Sequence, residues 1–430
     1  MVRFFRSVPA ICLLACPGLP ALAQDWLETT IEISELTEAG DLDAAMALST
    51  RLLDSAEQEF GPDSEQLAES HMIVAELQMA DQDYLAAEDN MILAIQLYER
   101  VEGPLSTILV VPYSDLGDAY LASEEYALAM RAYEEARGIS RRNFGLSTVT
   151  QVPLVYRMAN ANQELGDMEE AVELRVEAVQ LIQRNYGVSS EQSFAAVYEL
   201  AGWLSEHEYL MAAADQYRSA SNLLRVGLEG DDLEVIHLLR LAADHYRRAA
   251  RGFSNGSSGF GSQGGSRPPS ELLTAQSIAR NLGSEYLLLQ AELWRDIGDW
   301  YVAFGDRFRI AEAYLRGIAM LDEIENGDEI YAQWFNETAQ VYASSLRARE
   351  LSDEEDALTG RVELQFEVSE WGTANNVKVI SSDPDGLLER EARRHIDLSR
   401  FRPNIVDGQL VPAVRTYTLE YRYAPEFAED

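Results

Sequence analysis

Histidine, cysteine and clustered acids are the side chains that could bind a metal or attack a bond, and they are sparse here. The histidines are His71, His207, His237, His245 and His395. Only His237 and His245 share a helical stretch, eight positions apart and with no further ligand in register. A zinc centre needs three or four converging nitrogen or sulfur ligands. The Asp383-Pro384-Asp385-Gly386 turn, with Glu389 and Glu391 beyond it, hints at calcium, but the spacing fails the twelve-residue calcium loop. No nucleophile elbow, phosphate loop or dinucleotide fingerprint occurs in a suitable context. Acidic pairs such as Glu134-Glu135 lie on amphipathic stretches and read as solvated faces. The expectation is a protein that is no enzyme, with no catalytic residue, metal, cofactor or small-molecule substrate. Its chemistry is then the chemistry of binding.

Charge narrows the partners. The formal net charge is -39, and Lys378 is the single lysine. Such a surface repels nucleic acid and anionic headgroups, so neither is expected as a partner. A hydrophobic content of 47% is enough to bury a sizeable core.

The N-terminus reads as an export signal. Arg3 and Arg6 form a basic start, an apolar run follows, and Ala21-Leu22-Ala23 supplies a small-x-small cleavage site. Residues 1–23 are therefore expected to be removed, leaving Gln24 first. Cys12 and Cys16, the only cysteines, would leave with them. A second reading keeps Cys16 as a lipidated residue of a lipoprotein-like Leu13–Cys16 box, and a third keeps the whole segment as an anchor. Export implies the periplasm or the outside, and the periplasm is the expected location of the mature chain.

The body repeats. Gly61, Gly103, Gly145 and Gly187 recur at a constant step of 42, and Ala45, Ala87, Ala129 and Ala171 recur at the same step. A fifth copy ending at Gly227 follows with a slip of about one position. Each unit reads as two helices, the second closed by a glycine in a left-handed conformation. Gly117 and Ala129 are expected where two helices approach closely, with no room for a larger side chain. The Gly/Ser-rich stretch 252–270 reads as a flexible loop. Helical text resumes over 271–350, and its last helix, near Tyr331–Glu350, is expected to cap the stack. Residues 351–359 read as a linker.

The segment "LGDAYLASEEYALAMRAYEEA", with Leu116-Gly117, Tyr120, Ala129, Tyr133 and Ala136, resembles the tetratricopeptide repeat. The step is longer than that family's usual repeat of about 34 residues. The resemblance covers residues 24–251 and 271–350 and implies an α-helical solenoid whose first helices line a concave face. In that register the face includes Glu76, Met79, Asp118, Leu121, Asn160 and Gln163. The groove is acidic and apolar, and it lacks the cationic set with which some members grip a terminal carboxylate. A basic or apolar peptide is the expected guest.

After 359 the period changes from helical to alternating. Val362, Leu364, Phe366 and Val368 fall on one face of a strand. A second strand follows a connection containing Gly372. Leu388, Ala392 and Ile396 share a helical stripe, with Asp385 a candidate N-cap. Val411–Tyr423 then alternates. The stretch 360–425 resembles the TonB C-terminal domain, through Gly360 and its strand, the Asn-Val-x-Val-x-x-Ser-Ser turn, Arg400-Phe401-Arg402-Pro403 and Gly408-x-x-Val411-Pro412. The resemblance implies a small α+β domain (strand, strand, helix, strand) that grips peptides or envelope components, often by adding a strand to a sheet edge. Phe401 and Pro403 are expected to pin the helix exit to the core. Val411, Tyr417, Leu419, Tyr421 and Tyr423, on the last strand, are the expected binding positions. The resulting expectation is a periplasmic adaptor for proteins or peptides of the bacterial envelope, an outer-membrane transporter among them. The alternative is a membrane-anchored energy transducer or accessory of TonB-dependent transport.

Overall fold

A computed structural model describes residues 21–249 and 269–427, apart from residues 345, 347, 349, 353 and 355. The expected signal segment, with Cys12 and Cys16, lies outside the described residues except for its last three positions. So does the Gly/Ser-rich stretch, apart from its last two. The chain forms two compact units, one ending at Val188 and the other beginning at Ser189.

The first unit is a series of helix hairpins: α1 (Ala21–Glu38) with α2 (Leu42–Phe60), α3 (Glu65–Ala80) with α4 (Tyr84–Glu102), α5 (Val110–Ala122) with α6 (Tyr126–Phe144), and α7 (Val152–Leu165) with α8 (Met168–Tyr186). The step of 42 is visible at both ends of the second helices. Asp41, Asp83 and Asp167 each accept a hydrogen bond from a backbone N–H three residues on, capping α2, α4 and α8. At the other end Gly61, Gly103, Gly145 and Gly187 have φ of 89°, 89°, 94° and 91°. Their ψ values of 150° to 171° differ from the expected left-handed helical value. This mirror-extended region is open almost only to glycine, which explains the residue type better than a helical cap would. Ala45, Ala87, Ala129 and Ala171 are fully buried.

Gly117 shows why small residues recur. A Cβ there would lie 2.3 Å from Cε1 of Tyr133, so the tyrosine ring lies directly against the α5 backbone. Gly298 repeats the contact in the second unit, 2.4 Å from Cε1 of Tyr314.

The second unit begins with α9 (Glu191–Glu206) and α10 (Leu210–Asn222). A π-helical turn, Leu223–Gly227, follows α10 directly. Gly227 lies 40 positions after Gly187, two short of the repeat step. Then come α11 (Asp232–Ala249), α12 (Ser270–Leu282), α13 (Leu287–Phe304), α14 (Arg307–Leu321) and a short α15 (Gly327–Phe335). The helix expected to run to Glu350 stops at Phe335. Residues 340–342 instead form β1 (Gln340–Tyr342), paired antiparallel with β4 (Arg400–Phe401). Val341 and Tyr342 are buried there, so tertiary pairing overrides local helical preference.

The terminal domain holds a three-stranded antiparallel sheet in the order β3 (Ala374–Asp383), β2 (Leu358–Val368), β7 (Ala413–Tyr423). The helix α16 (Glu389–Leu398) covers one face, and β5 (Asn404–Val406) and β6 (Gln409–Val411) form a small hairpin. The alternation works as expected: Val362, Leu364, Phe366 and Val368 meet Leu388, Ala392 and Ile396 in one core with Phe401. Asp385 does not cap α16. Leu388, at φ 58°, precedes the helix, and Ser382 ties the turn by accepting from Gly386 N and donating to Glu389 Oε1.

Replacing Gly117 by Val should lower the urea midpoint of the helical signal by the equivalent of about 1–3 kcal/mol, because the ring of Tyr133 must be displaced. Gly138→Ala in α6, where a Cβ meets nothing within 4 Å, is the control and should gain up to about 1 kcal/mol. Equal responses at the two sites would exclude the packing explanation.

Candidate protein-binding surfaces

A carboxylate organises the second unit. Asp299 on α13 follows Gly298 and accepts the hydroxyl of Tyr314 at 2.7 Å. The first unit contains the same socket: Asp118 follows Gly117 and accepts Tyr133 at 2.7 Å. There the next repeat closes it, with Arg157 Nε of α7 3.1 Å from Asp118 Oδ1 and its Nη1 donating to Ser114 at 2.7 Å. Arg402 of the terminal domain closes the second socket. Its Nε and Nη2 reach the two oxygens of Asp299 at 2.8 and 2.7 Å, and its Nη1 donates to Trp334 O at 2.9 Å. This two-point pairing is the geometry at which a guanidinium binds a carboxylate best. The terminal sheet therefore docks on α13–α15 with an arginine where a further repeat would supply its own.

The two sockets differ electrostatically. Burial raises the Asp118 carboxyl, and Arg157 and Tyr133 only partly offset it. Burial is also the largest influence on Asp299, but Arg402, then Arg247 and Tyr314, together outweigh it and hold that carboxyl below its ordinary value. Burial of Tyr314, followed by the charge of Asp299, pushes its hydroxyl well up, so it stays a donor.

Further contacts fasten the seam. Arg415 Nη2 donates to Phe335 O at 2.6 Å, Arg402 N donates to Ala339 O at 2.8 Å, and Tyr331 donates its hydroxyl to Ile405 O. Phe401 and Arg402 point opposite ways, as neighbours in extended chain do. Phe401 enters the sheet core while Arg402 enters the helical body. Pro403 is buried beside them.

The residues expected on the concave face separate into four roles. Glu76, on α3, lines a pocket of about 80 Å3 between α1, α3 and α5, together with Glu69 and the apolar Ile33, Met72, Ile108 and Pro112. Met79 and Leu121 are half-buried against apolar clusters. Asp118 belongs to the socket and so positions helices. Asn160 is exposed and accepts from Arg175 at 2.8 Å, and Gln163 is half-buried on α7.

On the last strand, Pro412 has no N–H and breaks the run, so Val411 falls in β6, paired with Asn404. Tyr417 is half-buried and donates to Gln340 at 3.2 Å, while Leu419, Tyr421 and Tyr423 are buried in the core. These side chains hold the sheet together, while Thr416, Thr418, Glu420 and Arg422 are exposed. Thr416 O accepts from Thr338 Oγ1, Arg422 O accepts from Ser352 N, and Ala424 N donates to Glu350 O. Even-numbered residues of β7 therefore turn their backbone groups away from β2, and Thr418 and Glu420 lie between these two tethers. The opposite edge, β3, is less suited to pairing. Its register shifts twice and it carries Lys378, both features that discourage strand addition.

Among the described residues no group of three or more His, Cys, Asp or Glu could hold a metal, and no helix is long and apolar enough to cross a membrane. Sequence reading missed Glu69, Asp299 and Arg402. The repeated Gly-Asp, with a tyrosine fifteen residues beyond each Asp, was the available signal.

Paired helices joined to a helix-backed sheet define a class of protein built for holding other proteins. Residues 71–142 match the tetratricopeptide repeat, and residues 354–424 match the family described as the Gram-negative bacterial TonB protein C-terminal. The chain thus carries a tetratricopeptide-repeat segment and a TonB C-terminal segment, and both families are binding or scaffold domains. Several solved structures are similar. A kinesin light chain from Podosopora anserina with TPR-like repeats is 15% identical with a TM-score of 0.41, covering 46% of this chain and 93% of that one. BtubC from P. vanneervenii is 20% identical with a TM-score of 0.37, covering 56% and 92%. The C-terminal part of a TPR repeat-containing protein from Cytophaga hutchinsonii is 11% identical with a TM-score of 0.37, covering 69% and 97%. No curated protein matches the sequence.

Removing one partner of the seam leaves a buried charge unpaired. Arg402→Ala should destabilise the second unit by about 3–5 kcal/mol, read as a lower melting temperature and early proteolysis after Phe335. The pH dependence follows from Asp299. Its carboxyl is held low in the fold, so its contribution is complete above the unfolded carboxylate value of about 3.9 and is lost as pH falls through the folded value. Asp299→Asn should remove that part of the acid transition.

Proposed function

We propose that this chain is a non-enzymatic periplasmic adaptor, exported by a cleavable signal, that joins envelope proteins. The observation that carries the reading is the junction of two binding modules by the Asp299–Arg402 pair. A partner held by the sheet is thereby coupled to the helices α13–α15. Strand addition uses the outward backbone of β7 around Thr418 and Glu420, and a basic or apolar segment uses the pocket lined by Glu69 and Glu76. An outer-membrane transporter is one candidate partner.

The alternative is a membrane-anchored component of TonB-type transport. The TonB C-terminal match favours it, because that domain belongs to the Gram-negative envelope. The mass of the mature chain separates the two. A start at Gln24 supports the adaptor, an intact Met1 supports an anchored transducer, and a lipid on Cys16 supports tethering without a membrane helix.

Thr418→Pro removes an outward N–H without touching the bonds to β2. It should abolish capture of the sheet's partner from envelope extracts by crosslinking, with the circular dichroism of the helices unchanged. Undiminished capture would rule out strand addition at β7. Glu69→Gln with Glu76→Gln should weaken binding of a basic-apolar peptide roughly tenfold, as expected for the loss of charge-assisted contacts.

A further inference from the structure

Exposed apolar side chains of the first unit gather at one end of its hairpins. Among the described residues up to Val188, six of them lie within two positions of Gly103, Gly145 or Gly187: Val101, Leu105, Phe144, Leu146, Tyr186 and Val188. Only Leu85, Leu93 and Leu165 lie elsewhere. Leu146 is 73% exposed. The glycine loops stand side by side. Asn143 Nδ2 donates to Leu105 O at 3.1 Å, Asn185 Nδ2 donates to Ser147 O at 2.8 Å, and Arg184 Nη1 donates to Ser147 Oγ at 3.3 Å. The ends of α6 and α8 thus each hold the loop of the preceding repeat. The three loops form a row in the order Gly103, Gly145, Gly187.

Charge along the row is ordered as well. The loop at Gly61 is polar, with Arg100 Nε 2.8 Å from Asp63 Oδ1. One repeat later Leu105 takes the position of Asp63, and two repeats later Ser147 takes it. Arg100 itself recurs as Arg142 and Arg184. No acid occurs between Glu135 and Glu164, in a chain of net charge -39. Glu102, at the Gly103 end of the row, is exposed, and so is Arg184 at the Gly187 end. The row therefore carries a negative end, an apolar middle and a positive end. A run of apolar side chains left in water is unfavourable, and on a soluble protein such a run marks a contact surface.

We propose that this edge is a dimer interface, covered by the same edge of a second copy of the chain running antiparallel. A two-fold axis at the Gly145 loop sets Phe144 and Leu146 against their own counterparts. It brings the Gly103 loop of each copy to the Gly187 loop of the other, so Leu105 meets Tyr186 and Val188, and Glu102 meets Arg184 at both ends. Only a row with opposite charges at its two ends complements itself in this way. Arg142, beside the axis, is the one like-charge contact. A bilayer fits less well, because Glu102 would be driven toward the headgroups. Repulsion between the two acidic bodies is screened beyond about 8 Å at physiological salt. The row shares no residue with β7 or with the Glu69–Glu76 pocket, so it does not depend on the adaptor reading.

Sedimentation equilibrium of the full chain over a concentration series tests this. A species of twice the monomer mass should grow in as concentration rises. Leu146→Ser should weaken the association at least about tenfold, since it removes an apolar anchor at the centre of the interface. Leu85→Ser, equally exposed at the opposite end of a hairpin, should leave it unchanged. Glu102→Arg and Arg184→Glu should each weaken it, and the double variant should recover most of the loss, because the exchange again sets opposite charges together. Arg142→Gln should tighten it. All these positions are exposed, so folding is preserved, and matching melting curves check that. A monomer at every concentration, a dimer indifferent to Leu146→Ser, or a double variant no better than its single parents would overturn the proposal. So would a chain that stays monomeric and floats with phosphatidylglycerol vesicles unless Leu146→Ser is present, which would assign the row to lipid.

Discussion

The pairing of Asp299 with Arg402 is the contact on which the second unit turns. It is almost fully removed from water, with side chains 7% and 11% exposed. Desolvating two charges costs about as much as their attraction returns, so such a pair contributes specificity more dependably than stability. Here the specificity is of docking. The socket accepts a planar cation that can reach both carboxylate oxygens and a nearby carbonyl, and Arg402 does all three. An apolar side chain in its place would leave Asp299 without the counter-charge of Arg402.

The socket is a reused part. Gly117, Asp118 and Tyr133 make it in the first unit, and Gly298, Asp299 and Tyr314 make it in the second. Glycine lets the ring approach, the ring delivers its hydroxyl to the carboxylate, and the carboxylate receives an arginine from whatever comes next. Between repeats that is Arg157, and at the end of the array it is Arg402. An array of paired helices ends with an unsatisfied face that must be covered. In this chain the covering element is a domain with its own core and its own sheet edge. Pairing of β1 with β4 and the bond from Arg415 to Phe335 extend the same covering.

Much of this was legible in the sequence. The 42-residue step predicted the helix hairpins of the first unit, because burial of Ala45, Ala87, Ala129 and Ala171 and closure at four glycines are local requirements repeated in each copy. The alternation from Val362 to Val368 predicted which face of β2 is buried. The candidate site was legible only in part. Asp118 looked like a groove carboxylate, yet it is held by Tyr133 and Arg157. The odd-numbered side chains of β7 looked like binding groups, yet they fill the core, because alternation alone does not say which face has a neighbour.

Sequence by itself determined the repeat length, the ends of the repeated helices of the first unit and the pleat of the sheet, since each depends on residues near one another in the chain. Tertiary structure alone decided that residues 340–342 leave the helical stack, that β7 lies at an edge with Thr418 turned outward, and that Arg402 meets Asp299. Those outcomes join residues far apart in sequence, 103 positions in the last case. The physical reason is that a local pattern states what a side chain needs, burial or a counter-charge, while only the folded chain determines which distant group supplies it.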